Sequence, residues 1–533
     1  MREAPPTPSR FRLTPRAYRR LLIAAVLFGV TCRAVQYAWN RSAWHDEAEM
    51  ALNLVHWRSV GLAPRLVYRQ PAPWLWLWIE RGVTAALGTS EPSLRLWPLV
   101  ASVATMVFFA LLATRALGHG TALIAVVLFA ASDRLIWYAA EARHYASDVL
   151  VTVAVLLVAV TVWRRRGPLR ALAWAALVAV PGVLISYPAV FVFGGVSVAV
   201  LLGLPAECRA SDSRSSVARR LAIWAGLNAV VAAVFGFLFL AYTAGQATPL
   251  VTGSWTDEFP DLTRPLTVPA WLVRSSVSLW NTAHAPLGGV LLALAAVGAV
   301  VLWRRRCRRV VAITLFPFVL TVAASALHRY PYGGGRAILF AVPLALLLSA
   351  AGLAWCTAAL ARRARWLAVV LCAVVLAPGV GLAGYHLVRP RVRHHLRPVA
   401  RAVFEQIESG DVVWVICYHE FDYERHRAGH LVVRSSGPDH AGPGWSAVVE
   451  TPDHIRYRVR VPLKPGPGML DEIETPPGGR LWVVWTGGDS ARRRDVDPLL
   501  GGLSARARES AVVAAHGSGA HLFIFPDRPS GRE

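Results

Sequence analysis

Lysine is all but missing from this 533-residue chain: of its 56 basic residues only Lys464 is a lysine. Charge of either sign is scarce, at 17% against 55% apolar residues, which excludes a soluble chain of two to four ordinary domains. The acidic residues number 32, so the formal net charge is +24. That charge would suit a nucleic-acid binder, but the apolar excess would not. Six cysteines (Cys32, Cys208, Cys307, Cys356, Cys372 and Cys417) form no C-x-x-C pair and have no histidine at metal-ligand spacing, which argues against a disulfide framework or a zinc site. Disorder is excluded by the apolar content and by 21 tryptophans that need burial. The class left standing is an integral membrane protein.

Apolar runs of about 17–22 residues, enough to cross ~30 Å of hydrocarbon, recur at 21–39, 97–115, 120–139, 146–163, 169–187, 188–205, 221–242, 285–303, 310–327, 336–358 and 366–385. The first lacks a signal-peptide cleavage pattern and is read as an anchor. Eleven spans place the arginine clusters at 2–20, 164–166, 209–220, 304–309 and 362–365 on one side, which the positive-inside rule makes cytoplasmic. The other face then receives the loop 40–96, the turns 140–145, 187–188 and 328–335, the loop 243–284 and everything after 386. Within 40–96, helical periodicity runs over 43–60, and 73–87, with Trp74, Trp76 and Trp78, predicts a helix at headgroup level. From about 396 the chain turns polar. Strand patterns at 411–418, 480–486 and 521–525 alternate with helical stretches at 397–408 and 503–515, and loops are expected at 436–444 and 465–479. The expected fold is an α-helical polytopic membrane protein of about 11 helices with a small C-terminal α/β domain on the outer face. Its parts are a cytoplasmic segment 1–20, a membrane domain 21–385 and a soluble domain 386–533.

Ionisable residues at a membrane boundary are costly and are candidates for function. Asp46 and Glu47 follow the first span; they read either as helix capping or as a general base for an acceptor hydroxyl. The turn before the fourth span packs Glu141, Arg143, His144 and Tyr145 into six residues. That is dense for a solubilising turn, and Arg143 suits phosphate. Arg69 and Gln70 precede Pro71 and Pro73, which set a helix start or present Gln70 to a sugar. His328 and Arg336 bracket a glycine run between the ninth and tenth spans, as an interface anchor or a clamp on an anionic headgroup.

Taken in order, Asp46-Glu47, the Gln-Pro-x-Pro-aromatic stretch, Glu-Ala-Arg-x-Tyr before the fourth span and the arginine opening a late span resemble the GT-C glycosyltransferases. Among these, the protein O-mannosyltransferase and lipid A aminoarabinose transferase group is the most similar. The resemblance covers about residues 20–360. It implies a GT-C-like membrane catalytic domain at the outer face of a bacterial cytoplasmic (inner) membrane, with the N-terminus inside and the C-terminal domain outside. It also implies transfer of a sugar from a polyprenyl-phosphate donor to an envelope glycan, lipid or protein acceptor. The acidic pair maps onto Asp46 and Glu47 and the second-loop acid onto Glu141. His144 replaces the usual proline, Ala72 separates the two prolines, and Ala337 replaces the tyrosine after the late arginine.

The chemistry of the residues accords with that reading. A phosphate leaving group calls for cations, for which Arg143 and Arg336 are candidates alongside His144 or His328. Asp46 is the expected base, and a single displacement inverts the anomeric centre. A divalent metal would bridge Glu47 or Glu141 to phosphate. The competing readings are a lipid-linked-sugar transporter or flippase, suggested by Pro181, Pro317, Pro343 and Pro378 within spans, and a non-catalytic membrane scaffold. In the tail, His419, Glu420, Asp422, Glu424 and His426 read either as a metal-like cluster or, more simply, as a polar loop; Cys417 reads as a buried strand residue. Splitting the charge by this topology, with Arg115 and Arg170 at the cytoplasmic ends of their spans counted there, puts 23 arginines against Glu3, Glu207 and Asp212 on the cytoplasmic side, a net of +20. The basic excess is thus an orientation signal with affinity for anionic lipids, not a nucleic-acid footprint.

Overall fold

The computed structural model describes residues 14–526 except 61–62, 67, 69, 209–213, 247–254, 437–444, 462–477 and 488–495. Arg69 and most of the loops expected at 436–444 and 465–479 lie outside the described residues. The chain divides into two compact units, Met1–Trp39 with Pro71–Glu80 and Arg95–Pro390, and Asn40–Gln70 with Arg81–Leu94 and Arg391–Glu533.

The chain's long apolar helices begin with α1 (Pro15–Ala38), followed after α2 (His45–Val55) and α3 (Trp74–Leu87) by α4 (Glu91–Ala116). Next come α5 (His119–Ala130), α6 (Asp133–Tyr138), α7 (Tyr145–Arg166), α8 (Pro168–Ile185), α9 (Ala189–Cys208) and α10 (Arg214–Leu238). The series ends with α11 (Val268–His284), α12 (Gly288–Arg304), α13 (Arg308–Ala326), α14 (Val342–Leu360, led by a 3₁₀ turn Arg336–Ala341) and α15 (Arg365–Val388). Each of the eleven expected spans falls on helix. Among the described residues, however, eight helices are long and apolar enough to cross a membrane, or nine counting α11 and α12 as one span bent by 102°. Helix α11 lies where the hydropathy pattern left a loop.

The expected span 120–139 breaks between α5 and α6, and side chains from other helices explain the break. A helix end leaves carbonyls without partners. Here Arg33 Nη1 donates to the Ala130 oxygen at 3.3 Å and Nη2 to that of Phe129 at 3.4 Å, while His284 Nε2 lies 2.8 Å from the Leu128 oxygen. The same interactions explain how a fully buried arginine sits in α1, since its Nε also donates to Ser102 Oγ at 2.9 Å. Helices α12 and α14 approach at a pair of glycines: a Cβ on Gly298 would strike the Leu348 carbonyl, and one on Gly352 that of Leu294. Ser349 Oγ donates to the Leu291 oxygen at 2.8 Å and accepts from Trp280 Nε1 at 3.1 Å. Small residues let backbones meet where lipid supplies no hydrophobic drive between helices. Gly352→Leu is therefore expected to cost about 3 kcal/mol or more, read as a lowered melting temperature and a smaller monodisperse fraction in detergent.

In the second unit α16 (Leu396–Gln406), α17 (Tyr418–Arg427) and α18 (Asp497–Ser504) pack on a seven-stranded sheet. Its strands are β3 (Val412–Val415), β4 (Leu431–Ser436), β5 (Ser446–Glu450), β6 (Arg456–Arg460), β7 (Arg480–Thr486), β8 (Arg508–Ala515) and β9 (Ser518–Ile524). A separate short ribbon pairs β1 (Arg58–Val60) with β2 (Ala63–Arg65). The order is β4-β5-β6-β3-β7-β9-β8, with β3 parallel to both neighbours. Because strand side chains alternate, Val413, Val415, Trp482 and Val484 face α16 and α17, while Val412, Trp414, Leu481 and Val483 face α18. The helix expected at 503–515 is corrected: α18 ends at Ser504, and 508–515 forms an edge strand. Gly517, at φ +64°, makes the tight return that pairs β8 with β9. The polar-loop reading of 418–427 is also corrected, since this stretch is a helix with His419 through Arg425 buried. Cys417 is buried, as expected, but sits at the N-cap of that helix just past the strand.

A buried charge network ties this unit together. Arg397 bonds Glu91 and lies 3.7 Å from Glu424, and Arg427 reaches Glu91 at 2.9 Å and Glu424 at 3.2 Å. Burial, and then the Glu91 charge, push the Glu424 carboxyl up to about 7. An acid whose pKa rises on folding holds its proton better folded than unfolded, so stability is lost as pH climbs from the usual carboxylate range through 7. Glu424→Gln is expected to flatten that decline by on the order of 2 kcal/mol, measured as melting temperature at pH 5 and pH 8.

Candidate functional site

In the first unit the turn between α6 and α7 is buried because Ala139, Ala140 and Ala142 are small enough to pack it. His144 ends the turn as the residue preceding α7, and its carbonyl accepts from Ser147 and Asp148 N–H groups at 2.8 and 3.1 Å. Glu141 is fully buried and accepts from the Trp137 indole. Arg143, 2% exposed, places its guanidinium 5.6 Å from the Tyr145 ring centre, and Arg336, at the start of the 3₁₀ turn, places its own 5.9 Å from the same ring. Two cations thus converge on one aromatic face-bearing residue at the end of membrane helices. Burial, reinforced by Arg143, holds the His144 imidazole well below its usual pKa, so at neutral pH it offers hydrogen bonds and not charge. Its Nε2 lies 3.7 Å from Asp148 Oδ2, and its ring meets Tyr187 edge-on at 5.5 Å. Tyr187 in turn donates to Gln246 Oε1 at 2.8 Å.

Glu141, Arg143, His144, Tyr145 and Arg336 are therefore brought into one region of this unit. His328 is not: it is exposed, at φ +53°, with its ring 5.0 Å from Phe259. Tyr187 and Asp148 join the cluster unannounced by motif. Asp148 lies one helical turn beyond His144 on α7 and belongs to none of the short motifs.

In the second unit Asp46 and Glu47 occupy the first turn of α2, 5% and 1% exposed. Glu47 takes the capping role: its Oε2 accepts from Trp44 N–H at 3.4 Å and lies 3.7 Å from Arg41. Farther along α2, Asn53 imitates a strand neighbour. Its amide donates to the Tyr68 oxygen at 3.1 Å and its Oδ1 accepts from Tyr68 N–H at 3.2 Å. That clamp delivers Gln70, whose amide bonds Glu49 and reaches Asp46 Oδ1 at 3.4 Å. Asp46 and Gln70 thus meet as the motifs suggest, and Glu49 is the member that motif reading missed. Its only signal was its place one turn after Asp46.

Among the described residues, the expected metal ligands Glu47 and Glu141 belong to no group of three or more His, Cys, Asp or Glu placed to hold one ion. The group that does is His45, Glu49 and His419, with ligand atoms within 4.8 Å of one another. The tail cluster is dispersed by its helix: Asp422 pairs with Arg425, and Glu424 with Arg397 and Arg427.

No family model and no curated protein sequence matches the chain. Among solved structures it is similar to ArnT from Cupriavidus metallidurans, at 13% identity over 95% of this chain and 98% of that one, TM-score 0.49 in the apo state and 0.45 in the form bound to undecaprenyl phosphate. It is also similar to the Archaeoglobus fulgidus oligosaccharyltransferase in complex with Zn and sulfate, at 13% identity, 76% of this chain, 61% of that one and TM-score 0.45. The chain spans about three-fifths of that oligosaccharyltransferase's length.

Proposed function

We propose that this protein is a GT-C-type glycosyltransferase that moves a sugar, with inversion, from a polyprenyl-phosphate donor to an acceptor hydroxyl at the outer face of the cytoplasmic membrane. The observation that carries the reading is the convergence of Arg143 and Arg336 on Tyr145 at the ends of membrane helices. A lipid-linked phosphate has its tail in the bilayer and its charge at the surface, so paired guanidinia at helix ends match both requirements. As the sugar–phosphate bond breaks, the phosphate gains negative charge, which Arg143 and Arg336 stabilise, with His144 and Tyr145 supplying hydrogen bonds. Asp46 removes the proton of the acceptor hydroxyl, and Gln70 orients the Asp46 carboxylate. Glu47 supports Asp46 by fixing the start of its helix. Glu141, locked to Trp137, holds the buried turn in shape and offsets part of the arginine charge. Direct displacement needs no covalent sugar–enzyme bond.

The test is incubation of the purified chain, reconstituted in lipid, with a panel of polyprenyl-phosphate sugars and envelope extract. Sugar appearing on an acceptor is expected. Movement of intact lipid-linked sugar across the vesicle, without transfer, would favour a transporter and overturn this reading.

A further inference from the structure

We propose that His45, Glu49 and His419 bind a divalent transition-metal cation of the zinc class, with Glu420 and Gln70 orienting the ligands. The inference stands on the second unit alone and does not depend on the transferase reading.

His45 and Glu49 are four residues apart on α2 and share a face; His419 comes from the first turn of α17. Glu49 Oε1 lies 2.7 Å from His419 Nδ1 and 3.5 Å from His45 Nε2, and the two imidazoles stack 4.9 Å apart with 28° between planes. Around a tetrahedral zinc with bonds near 2.1 Å, ligand atoms stand roughly 3.4 Å apart, so the three need only small adjustments. The surroundings are those of a built site. The other ring nitrogen of His45, Nδ1, lies 3.6 Å from Oε2 of the buried Glu420, the carboxylate–histidine arrangement that fixes the tautomer of a metal ligand. The remaining oxygen of Glu49 receives the Gln70 amide, which turns Oε1 toward the histidines.

The charge around the ligands suits a cation, since the Glu49 and Glu420 carboxylates both face His45, at 3.5 and 3.6 Å. One dication would take the place of the protons between these groups and engage all three ligand atoms at once. Two imidazoles and one carboxylate suit zinc or a similar transition ion, whereas calcium and magnesium favour all-oxygen sets. The His45 side chain is 45% exposed, which leaves an entry path and an open coordination position. Because Gln70 also reaches Asp46, filling the site would steady the carboxylate proposed as base.

The test uses the untagged full-length chain in detergent, stripped with chelator and titrated with Co²⁺ followed by visible absorption, with Zn²⁺ as competitor. One equivalent is expected to bind and to be displaced by Zn²⁺. Glu49→Gln and His419→Ala should abolish the bands, and Glu420→Gln should weaken binding by about 10–100-fold. On the unaltered protein, Zn²⁺ should protect His45 from diethylpyrocarbonate while the exposed His454 stays reactive, a comparison that survives any misfolding of the variants. Absence of saturable binding, binding indifferent to both ligand substitutions, or equal labelling of His45 with and without Zn²⁺ would overturn the proposal.

Discussion

Asp46→Asn is expected to lower the rate of sugar transfer by about 10²–10⁴-fold, the usual contribution of a positioned general base, with little change in KM or melting temperature. Asparagine keeps the shape of the side chain and a hydrogen-bonding oxygen toward Gln70, so the first turn of α2 stays in place. It loses only the favourable meeting of a negative charge with a helix N-terminus, worth about 0.3–1 kcal/mol. Glu47→Gln behaves differently, because Glu47 bonds the Trp44 amide and approaches Arg41. Its main effect is on stability, about 1 kcal/mol, and activity follows the fraction folded. Initial rates paired with tryptophan-fluorescence melting separate the two carboxylates. Equal rate losses at matched stability would remove the distinction between base and cap.

Arg143→Ala is expected to lower kcat by about 10²–10³-fold, the range seen when a donor to developing negative charge is removed. Arg143→Lys recovers only part of that loss. An ammonium restores charge but neither the two-pronged fork nor the planar packing against Tyr145. Tyr145→Phe separates hydrogen bond from charge: it keeps the ring near both guanidinia and removes only the hydroxyl 3.5 Å from Arg143, so it is expected to slow transfer less than Arg143→Ala does. Arg336→Ala also slows transfer, and the double variant loses less than the product of the two single losses, because both cations act around one ring. Rates with a fixed polyprenyl-phosphate donor give each term. Full activity in Arg143→Ala would remove the phosphate site from the turn.

Much of this arrangement was legible in the chain itself, for physical reasons. Apolar length marked the long helices other than α11, and the density of Glu141, Arg143, His144 and Tyr145 in a short turn marked the buried cluster. Hydropathy counts residues and not hydrogen bonds, so it ran through the break after Ala130, which exists because Arg33 and His284 take the carbonyls there. It also passed over α11, whose polar face reads as loop. In the tail, 508–515 has helix-tolerant composition, and only the pairing of β8 with β9 decides its state. The partnership of Glu49 with His419 was beyond reach, since 370 residues separate them in the chain and each belongs to a different short motif. His419 was noticed for its acidic neighbours, yet its partners are His45 and Glu49.

The central claim is transfer from a lipid phosphate, and product analysis of the reconstituted reaction tests it most directly. Nuclear magnetic resonance of the glycosylated acceptor, with quantitation of the released lipid, is expected to show inverted anomeric configuration and one polyprenyl phosphate freed per sugar transferred. Retained configuration, or donor lipid left intact while sugar changes compartment, would contradict the account.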